Sequence, residues 1–262
     1  MTVLSAPPPG SALGEIATLF EWPRLLLRAS QLLQLDAGVA GPVLVLPGFG
    51  ASDASTSLLR AFLRRIGFDA QGWGLERNHG DVMALLEPVR ELVRRFADRA
   101  GAPVQLVGWS LGGVLARETA RDAPDSVRQV ITFGTPVVGG PKYTQVGARY
   151  ASLGFDLDAL EATVEARHRD PITVPVTAIY SRADGIVAWR ACIDPWTAGV
   201  EHVEVGSTHL GLGFDPDVYR IVAQRLARPR PSSLSSGTQQ PSEARRRSNP
   251  PKPFEHGATG IP

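Results

Sequence analysis

Short apolar runs rich in β-branched residues alternate with stretches of helical periodicity between residues 42 and 228, and this alternation constrains the fold most strongly. A run that is apolar at nearly every position is typical of a strand buried on both faces, as in a parallel sheet covered by helices. We therefore predict an α/β protein with a mostly parallel central sheet of about six strands and helices on both faces. The predicted strands are residues 43–46, 68–73, 104–107, 129–133, 174–180 and 202–205, with the weakest pattern at 68–73.

Between these strands, apolar residues recur every three or four positions, as on the buried side of a helix. Gly67 and Gly101 are predicted to end the first two helices, because glycine is favoured just beyond a helix C-terminus. Pro88 lies inside the second segment, so that helix is either kinked or begins near Glu87. The predicted helical segments are residues 58–66, 82–96, 111–124 and 215–226.

Residues 1–40 are predicted to form an N-terminal amphipathic helical segment. The apolar residues recur at helical spacing, and Pro23 divides them into one helix that ends there and another that begins. We expect the apolar side to pack on the adjacent domain, which covers residues 41–228. Alternatively, Trp22 with Arg24 and Arg28 marks a weak contact with a membrane surface.

Residues 229–262 are expected to form a disordered, basic tail rich in proline and serine. The large apolar side chains in this stretch are Leu234, Phe254 and Ile261. Burying all three would return at most about 9 kcal/mol, whereas ordering the segment would cost roughly 1–2 kcal/mol per residue. The run Arg245–Arg247 is expected to be solvated, with contact to an anionic lipid or nucleic acid as the alternative.

Charge and cysteine content exclude several classes of protein. The formal net charge is +1, and because the tail holds five Arg or Lys against two Glu, the rest of the chain is slightly acidic. We therefore expect no nucleic-acid partner. One cysteine, Cys192, excludes an internal disulfide framework. The first ten residues lack the pattern of a secretory signal and no apolar run reaches 18 residues, so the expected location is cytoplasmic.

The string Gly-Trp-Ser-Leu-Gly-Gly at residues 108–113 follows a predicted strand and precedes a predicted helix. A serine on such a sharp turn is exposed, and the turn requires small residues where the two backbones approach each other. Gly108 and Gly112 supply them. We predict that Ser110 is a nucleophile, with an ordinary tight turn as the alternative interpretation.

A serine hydroxyl needs a base, and His209 is the predicted one among five histidines. It lies directly after the strand 202–205, where a loop can carry the imidazole over the sheet edge. Three others are weaker candidates: His168 near the end of a surface helix, His202 at the start of a strand and His79 before the serine; His256 lies in the tail. A structural role for His209 is the alternative.

The predicted acid is Asp184, which lies just beyond the strand 174–180. A carboxylate there would hold the imidazole tautomer and stabilise the imidazolium. Asp184 precedes Gly185, so a simple turn aspartate is the alternative. Asp194 and Asp158 are weaker candidates.

Two backbone N–H groups are predicted to form an oxyanion hole. One belongs to Leu111, directly after the nucleophile, and the other to Phe49 in the Pro-Gly-Phe-Gly loop that follows the first strand. Such donors stabilise the negative oxygen of a tetrahedral intermediate in acyl transfer.

The order Ser110, Asp184, His209, with Phe49 upstream, resembles the α/β-hydrolase superfamily over roughly residues 40–228. The strings at residues 47–50, 108–113 and 134–140 are most similar to those of bacterial lipases and carboxylesterases. The resemblance implies the α/β-hydrolase fold in a compact form, since the chain lacks room for two further strands before Val43.

Two departures from that pattern concern the oxyanion loop and the nucleophile turn. Many lipases carry His-Gly where this chain has Pro47-Gly48, and His where it has Trp109. Ester hydrolysis survives both changes, but a triglyceride-lipase activity does not follow from the resemblance.

About 40 residues separate the strands 129–133 and 174–180, too many for a plain crossover. In this superfamily such an insertion, here about residues 141–172, implies a small cap over the active site. We expect Trp109, Tyr143 and Phe155 to contact a lipophilic substrate. The alternative is an outer helix that does not touch substrate.

The predicted function is a serine hydrolase that cleaves carboxylic esters through an acyl-enzyme on Ser110. An acyltransferase, a thioesterase and a non-catalytic binding module of the same fold are the alternatives, and the oligomeric state stays open. No cofactor or metal is implied, because each Gly-x-Gly string lacks the third glycine of a dinucleotide fingerprint and neither a phosphate loop nor His-Glu-x-x-His occurs.

Overall fold

One six-stranded sheet forms the centre of the computed structural model, which describes residues 4–36 and 41–229. The strands are β1 (Pro42–Leu46), β2 (Asp69–Gly72), β3 (Val104–Trp109), β4 (Val127–Phe133), β5 (Val176–Ser181) and β6 (Glu201–Val205). All neighbouring strands are parallel, in the order β2-β1-β3-β4-β5-β6. The predicted fold class is confirmed, and each strand begins and ends within two residues of its prediction.

Helices cover both faces of the sheet. The α-helices of the described residues are α1 (Glu21–Leu32), α2 (Ser57–Arg65), α3 (Val82–Ala100), α4 (Leu111–Asp122), α5 (Gly147–Ser152), α6 (Leu157–Arg167) and α7 (Pro216–Leu226). Successive strand residues point to opposite faces. Val43 and Val45 of β1 therefore belong to a core cluster with residues of α1, α2 and α7, while Leu44 and Leu46 belong to a second cluster with residues of α3 and α4.

Helix α3 runs through Pro88 without interruption. Its first turn is stabilised by the Asp81 side chain, which accepts a hydrogen bond from the Ala84 amide at 3.0 Å. The alternative of a helix that begins near Glu87 is therefore wrong, because the Asp81 cap fixes the start at Val82.

The N-terminal residues form a 3-10 helix (Ser11–Phe20) followed directly by α1. Pro23 lies in the first turn of α1, where a missing backbone N–H costs nothing. Leu25 and Leu32 of α1 are buried against α7. The compact unit ends at Pro229, and the predicted tail lies beyond the described residues.

The sheet order defines where a site can form. The chain passes from β1 to β2 on one side and then returns to place β3 on the other side of β1. In open α/β sheets, a crevice forms at such a switch, beyond the carboxyl ends of the two strands. Residues 134–175, between β4 and β5, add a short 3-10 helix (Gly140–Tyr143) together with α5 and α6.

In the described part of the chain, no helix combines the length and the apolar character needed to cross a membrane.

A buried ion pair fastens α4 to the connection between β5 and β6. The Arg117 guanidinium donates to the Asp194 carboxylate, which also accepts from the amides of Trp196 and Thr197 at 2.8 and 3.0 Å. Burial by itself would raise the pKa of the Asp194 carboxyl, but Arg117 and the Thr197 and Trp196 hydrogen bonds outweigh it and lower that pKa. The ionised form therefore stabilises the fold.

Because the folded pKa of Asp194 lies below its unfolded value of about 3.9, its contribution to stability is present above that value and is lost as the pH falls. We expect Asp194→Ala to lower the free energy of unfolding at pH 7 by about 3–5 kcal/mol, since Arg117 is left buried without its partner. Urea denaturation at pH 7 and pH 3 measures both effects. Glu91→Ala, which breaks an exposed pair with Arg95 at 3.6 Å, should cost less than about 1 kcal/mol; equal losses would contradict the assignment.

Candidate active site

Ser110 occupies the turn between β3 and α4 in a backbone conformation that residues other than glycine rarely adopt. Its φ is 54° and its ψ is −123°, and it is the one non-glycine residue with positive φ in the described parts of the chain. Its amide donates to the Phe133 carbonyl at 2.9 Å, and the Thr135 hydroxyl donates to the Ser110 carbonyl at 2.9 Å. Such a conformation costs about 1–3 kcal/mol and persists where the surroundings impose it. The turn is therefore held by the last residue of β4 and by Thr135 just beyond that strand.

The glycines on either side of Ser110 allow close approach of backbone to backbone. A Cβ at Gly108 would lie 2.3 Å from Cα of Gly113, and one at Gly112 would lie 2.3 Å from the Leu46 carbonyl oxygen. These neighbours are main-chain atoms, which cannot rotate away. The motif thus has glycine where packing of α4 on β3 and β1 requires it.

The loop after β1 lies directly against Ser110. A Cβ at Gly48 would be 3.3 Å from Cβ of Ser110. Within the residues described, neither the Phe49 nor the Leu111 amide has a hydrogen-bond acceptor, and both residues line the same cavity as Ser110. These are the donors predicted for the oxyanion hole.

Asn78 holds that loop, a role that the sequence did not indicate. Its fully buried side chain donates to the Pro47 carbonyl at 2.9 Å, and its backbone bonds to Gly50 and Ala51. Asn78 lies in an irregular stretch after β2, where neither motif nor periodicity distinguishes it from any turn asparagine.

The predicted base and acid are in contact. Nδ1 of His209 lies 2.6 Å from Oδ2 of Asp184, and both side chains are buried. The other carboxylate oxygen accepts from the amides of Ile186 and Val187 at 2.9 and 2.6 Å. Because a carboxylate only accepts, this contact places the imidazole proton on Nδ1 and leaves Nε2 as a proton acceptor.

The His209 ring reaches back over the sheet from β6. A Cβ at Gly134, just beyond β4, would lie 3.0 Å from Cε1 of His209, and the ring centroid is 6.4 Å from that of Trp109. His209 and Ser110 line one cavity. The structure therefore brings Ser110, Asp184 and His209 to one rim of the sheet.

That cavity has a volume of about 370 Å³ and is lined mostly by apolar side chains. Phe49, Tyr150 and Phe155 form one wall, with ring centroids 5.0 and 5.5 Å apart along the row. Trp109 also lines the cavity, whereas Tyr143 is not among its lining residues. The Tyr143 hydroxyl instead donates to Glu161 at 2.6 Å, so two of the three predicted substrate contacts, Trp109 and Phe155, face the space.

The weaker acid candidates are engaged elsewhere. Asp194 is bonded to Arg117, and its amide donates to Nε2 of His202 at 2.9 Å. Asp158 is exposed and accepts from Lys142 at 2.6 Å. Neither carboxylate contacts His209 among the hydrogen bonds of the described residues.

Of the other histidines, His168 also lines the cavity. Its Nε2 faces the Val137 carbonyl at 3.2 Å, its ring stacks on Trp196 at 3.8 Å, and burial lowers its pKa. His79 is exposed, and His256 lies outside the described residues. In residues 4–36 and 41–229, no group of three or more His, Cys, Asp or Glu side chains is arranged to hold a metal ion.

A known protein family matches most of the chain. The model of the alpha/beta hydrolase family matches residues 43–252. Among curated proteins, no sequence matches the chain.

Solved structures of low identity share the fold. The chain is similar to Aspergillus fumigatus lipase B (TM-score 0.57, 19% identity, covering 78% of this chain and 57% of that one). It is also similar to a structure of the metagenome-derived lipolytic enzymes LipS and LipT (TM-score 0.56, 18% identity, covering 72% of this chain and 93% of that one). A third similar structure is Paleococcus ferrophilus monoacylglycerol lipase (TM-score 0.53, 18% identity, covering 72% of this chain and 96% of that one). At these identities the likeness concerns the fold alone.

The packing around Ser110 predicts different outcomes for two glycine substitutions. Gly108→Ala should lower the free energy of unfolding by about 3 kcal/mol or more, because the added Cβ meets main chain at 2.3 Å. Gly206→Ala is the control, since no atom lies within 4 Å of its added Cβ, and it should stay within about 1 kcal/mol of wild type. Urea denaturation followed by circular dichroism measures both, and equal midpoints would contradict the close approach.

Proposed function

The chain belongs to the alpha/beta hydrolase family, and from this membership we propose that it is a serine hydrolase that cleaves carboxylic esters through an acyl-enzyme on Ser110. The observation that carries the proposal is the hydrogen bond between His209 Nδ1 and Asp184 Oδ2 at 2.6 Å, beside a cavity that Ser110 and His209 line together. A buried imidazole oriented by a carboxylate is the base that an unactivated hydroxyl requires.

In the proposed reaction, Oγ of Ser110 attacks the ester carbonyl carbon while Nε2 of His209 takes the hydroxyl proton. The amides of Phe49 and Leu111 donate to the negative oxygen of the tetrahedral intermediate. His209 then gives the proton to the leaving alcohol, and the acyl group stays on Ser110. Water attacks this acyl-enzyme, passes one proton to His209 and releases the acid as Ser110 regains its hydrogen.

The Ser110 conformation supports this assignment. As the residue before the first turn of α4, Ser110 stands where the free amides and the positive end of the helix dipole favour a developing negative charge. A serine without such a role would be expected to relax out of a conformation that costs about 1–3 kcal/mol.

The cavity favours a lipophilic ester. Its wall of Phe49, Tyr150 and Phe155 is aromatic, and the residues from α6 that line it include Leu160 and Val164. Apolar surface of this kind gains about 25 cal/mol for each Å² that a substrate buries. The cytoplasmic location and the absence of a nucleic-acid partner stay predictions, and the oligomeric state stays open.

Ser110→Ala and His209→Ala should each lower kcat/KM for p-nitrophenyl esters by about 10³-fold or more, since members of a triad act as a unit. The measurement is hydrolysis of a chain-length series of these esters. His79→Ala is the control, because that histidine is exposed and makes no contact with Asp184 within the described residues. Retention of more than about a tenth of the activity in either triad variant would overturn the assigned roles.

Three further measurements separate the remaining alternatives. Covalent labelling of Ser110 by a fluorophosphonate, lost in Ser110→Ala, would exclude a non-catalytic binding module. Product analysis in the presence of alcohol and amine acceptors would show whether the acyl group passes to water, as in a hydrolase, or to the acceptor, as in an acyltransferase. Relative rates on matched thioesters and oxygen esters would show which leaving group the protein prefers.

We also infer a weak contact between the N-terminal helices and a lipid surface. Leu13, Ile16, Leu19, Phe20, Leu26 and Leu27 all expose more than half of their surface, and they lie on the segment whose other side packs on the domain. An amphipathic helix of this kind lies in the plane of a membrane interface.

Leu27, which is 82% exposed, provides the test. Leu27→Glu should weaken co-flotation with phosphatidylcholine vesicles by about tenfold or more, since burying one leucine is worth roughly 1.5–3 kcal/mol. Leu153→Glu changes an exposed leucine outside this segment and is the control. If wild type does not co-float, or if both variants bind equally, the N-terminal contact is excluded.

A further inference from the structure

Residues 7–24, which we term the N-terminal strap, lie across the rim of the sheet that carries Asp184 and His209. The strap contacts three separate parts of the site. Gln145 of the insertion donates to the Pro8 carbonyl at 2.9 Å. Ser11 donates to the Gly185 carbonyl at 2.6 Å, and the Thr18 hydroxyl lies 2.9 Å from that of Thr208.

At the centre of the strap, the Glu15 carboxylate accepts hydrogen bonds from three backbone N–H groups, which belong to the loops after β5 and β6. Its Oε1 lies 3.0 Å from the Gly185 amide and 3.1 Å from the His209 amide, and its Oε2 lies 2.7 Å from the Leu210 amide. Gly185 directly follows the proposed acid, and His209 is the proposed base. One carboxylate therefore joins the loop after β5 to the loop after β6.

Burial shows that this contact is built into the fold. Glu15 is 6% exposed although its helix presents Leu13 and Ile16 to solvent. No Lys or Arg pairs with its carboxylate within the described residues, so the three amides are its counterparts. Amides in irregular loops lack a strand or helix partner, and a carboxylate satisfies them with charge-assisted hydrogen bonds.

Gly185 provides independent evidence that the strap packs closely against the loop after β5. A Cβ at this position would lie 2.5 Å from the Ser11 carbonyl oxygen and 3.1 Å from Oε1 of Glu15. The strap therefore packs so closely against the loop after β5 that only glycine fits at position 185.

We propose that Glu15 is a positioning residue, which holds the His209 imidazole against Asp184 and over Ser110 through the main chain of both loops. This inference rests on the proposed hydrolase function. β6 lies three strands from β3, about 14 Å at the usual strand spacing, so the histidine loop must be held in its reach across the sheet. The family match begins at residue 43, and Glu15 lies upstream of it.

The test compares Glu15→Gln and Glu15→Ala with wild type. Glutamine keeps one acceptor oxygen but turns an N–H₂ group towards an amide, and alanine removes both acceptors. We expect kcat to fall by about tenfold in Glu15→Gln and about 100-fold in Glu15→Ala, with KM within about threefold, because a misplaced base costs rate rather than substrate binding.

A spectroscopic measurement separates positioning from a loss of stability. The proton on Nδ1 of His209, bonded to Asp184, should give a low-field proton resonance in wild type that is absent or broadened in Glu15→Ala. Both variants are studied well below their melting temperatures. Should Glu15→Ala fail to fold, Glu15→Gln carries both readouts.

Asp53→Asn is the matched control. The Asp53 carboxylate also accepts two loop amides, from Trp73 and Gly74 at 3.0 and 2.9 Å, but beside β2 at the opposite edge of the sheet. We expect this variant to lower the melting temperature while kcat and the resonance stay within about twofold of wild type.

The outcomes distinguish this inference from the function on which it rests. Folded Glu15 variants with wild-type kcat and an unchanged resonance would overturn the positioning role. A wild-type protein that neither hydrolyses esters nor reacts with a fluorophosphonate would overturn the proposed function, whereas the resonance would still report whether Glu15 orders the His209–Asp184 pair.

Discussion

The strained backbone of Ser110 is the constraint on which the rest of the site depends. Positive φ at a serine is unfavourable, so it must be imposed by its neighbours. Phe133 at the end of β4 and Thr135, two residues beyond it, make the two hydrogen bonds that hold the turn. The same turn begins α4, which brings Gly112 against the end of β1. The turn that carries Ser110 and the loop that carries Phe49 therefore pack directly against each other.

Much of this could be predicted from the sequence because the information is local. A strand, a Gly-x-Ser-x-Gly turn and a helix occupy consecutive residues around Ser110, and a loop residue directly after a parallel strand must lie at the strand's carboxyl end. The same reasoning selected His209 and Asp184, which the structure places 2.6 Å apart. Strand positions were predictable for the same reason, since burial on both faces leaves an apolar run that needs no partner to be recognised.

The contacts that escaped prediction join parts of the chain that are distant in sequence. Glu15 lies 194 residues from His209. A glutamate on an amphipathic helix is expected to face solvent, so nothing in the sequence indicates that this side chain is buried against two loops. In the sequence Asn78 resembles any turn asparagine, and only the structure shows that its side-chain amide donates to the Pro47 carbonyl. The sequence predicts a substrate contact for Tyr143, which is aromatic and near Phe155, but in the structure its hydroxyl donates to Glu161. A hydrogen-bond partner 18 residues away cannot be read from the sequence pattern.

These two kinds of contact divide the site between the family core and the strap. Residues of the matched region place the Ser110 hydroxyl and the contact between Asp184 and His209 at one rim of the sheet. Asp184 and His209, however, lie on two loops whose amides at Gly185, His209 and Leu210 bond to Glu15 and not to the sheet. A carboxylate from outside that region satisfies the amides of both loops at once. A hydrophobic side chain in its place would leave three loop amides unpaired, two of them buried. The N-terminal residues therefore contact the proposed site directly, even though their outer face exposes large apolar side chains such as Leu13, Ile16 and Leu19.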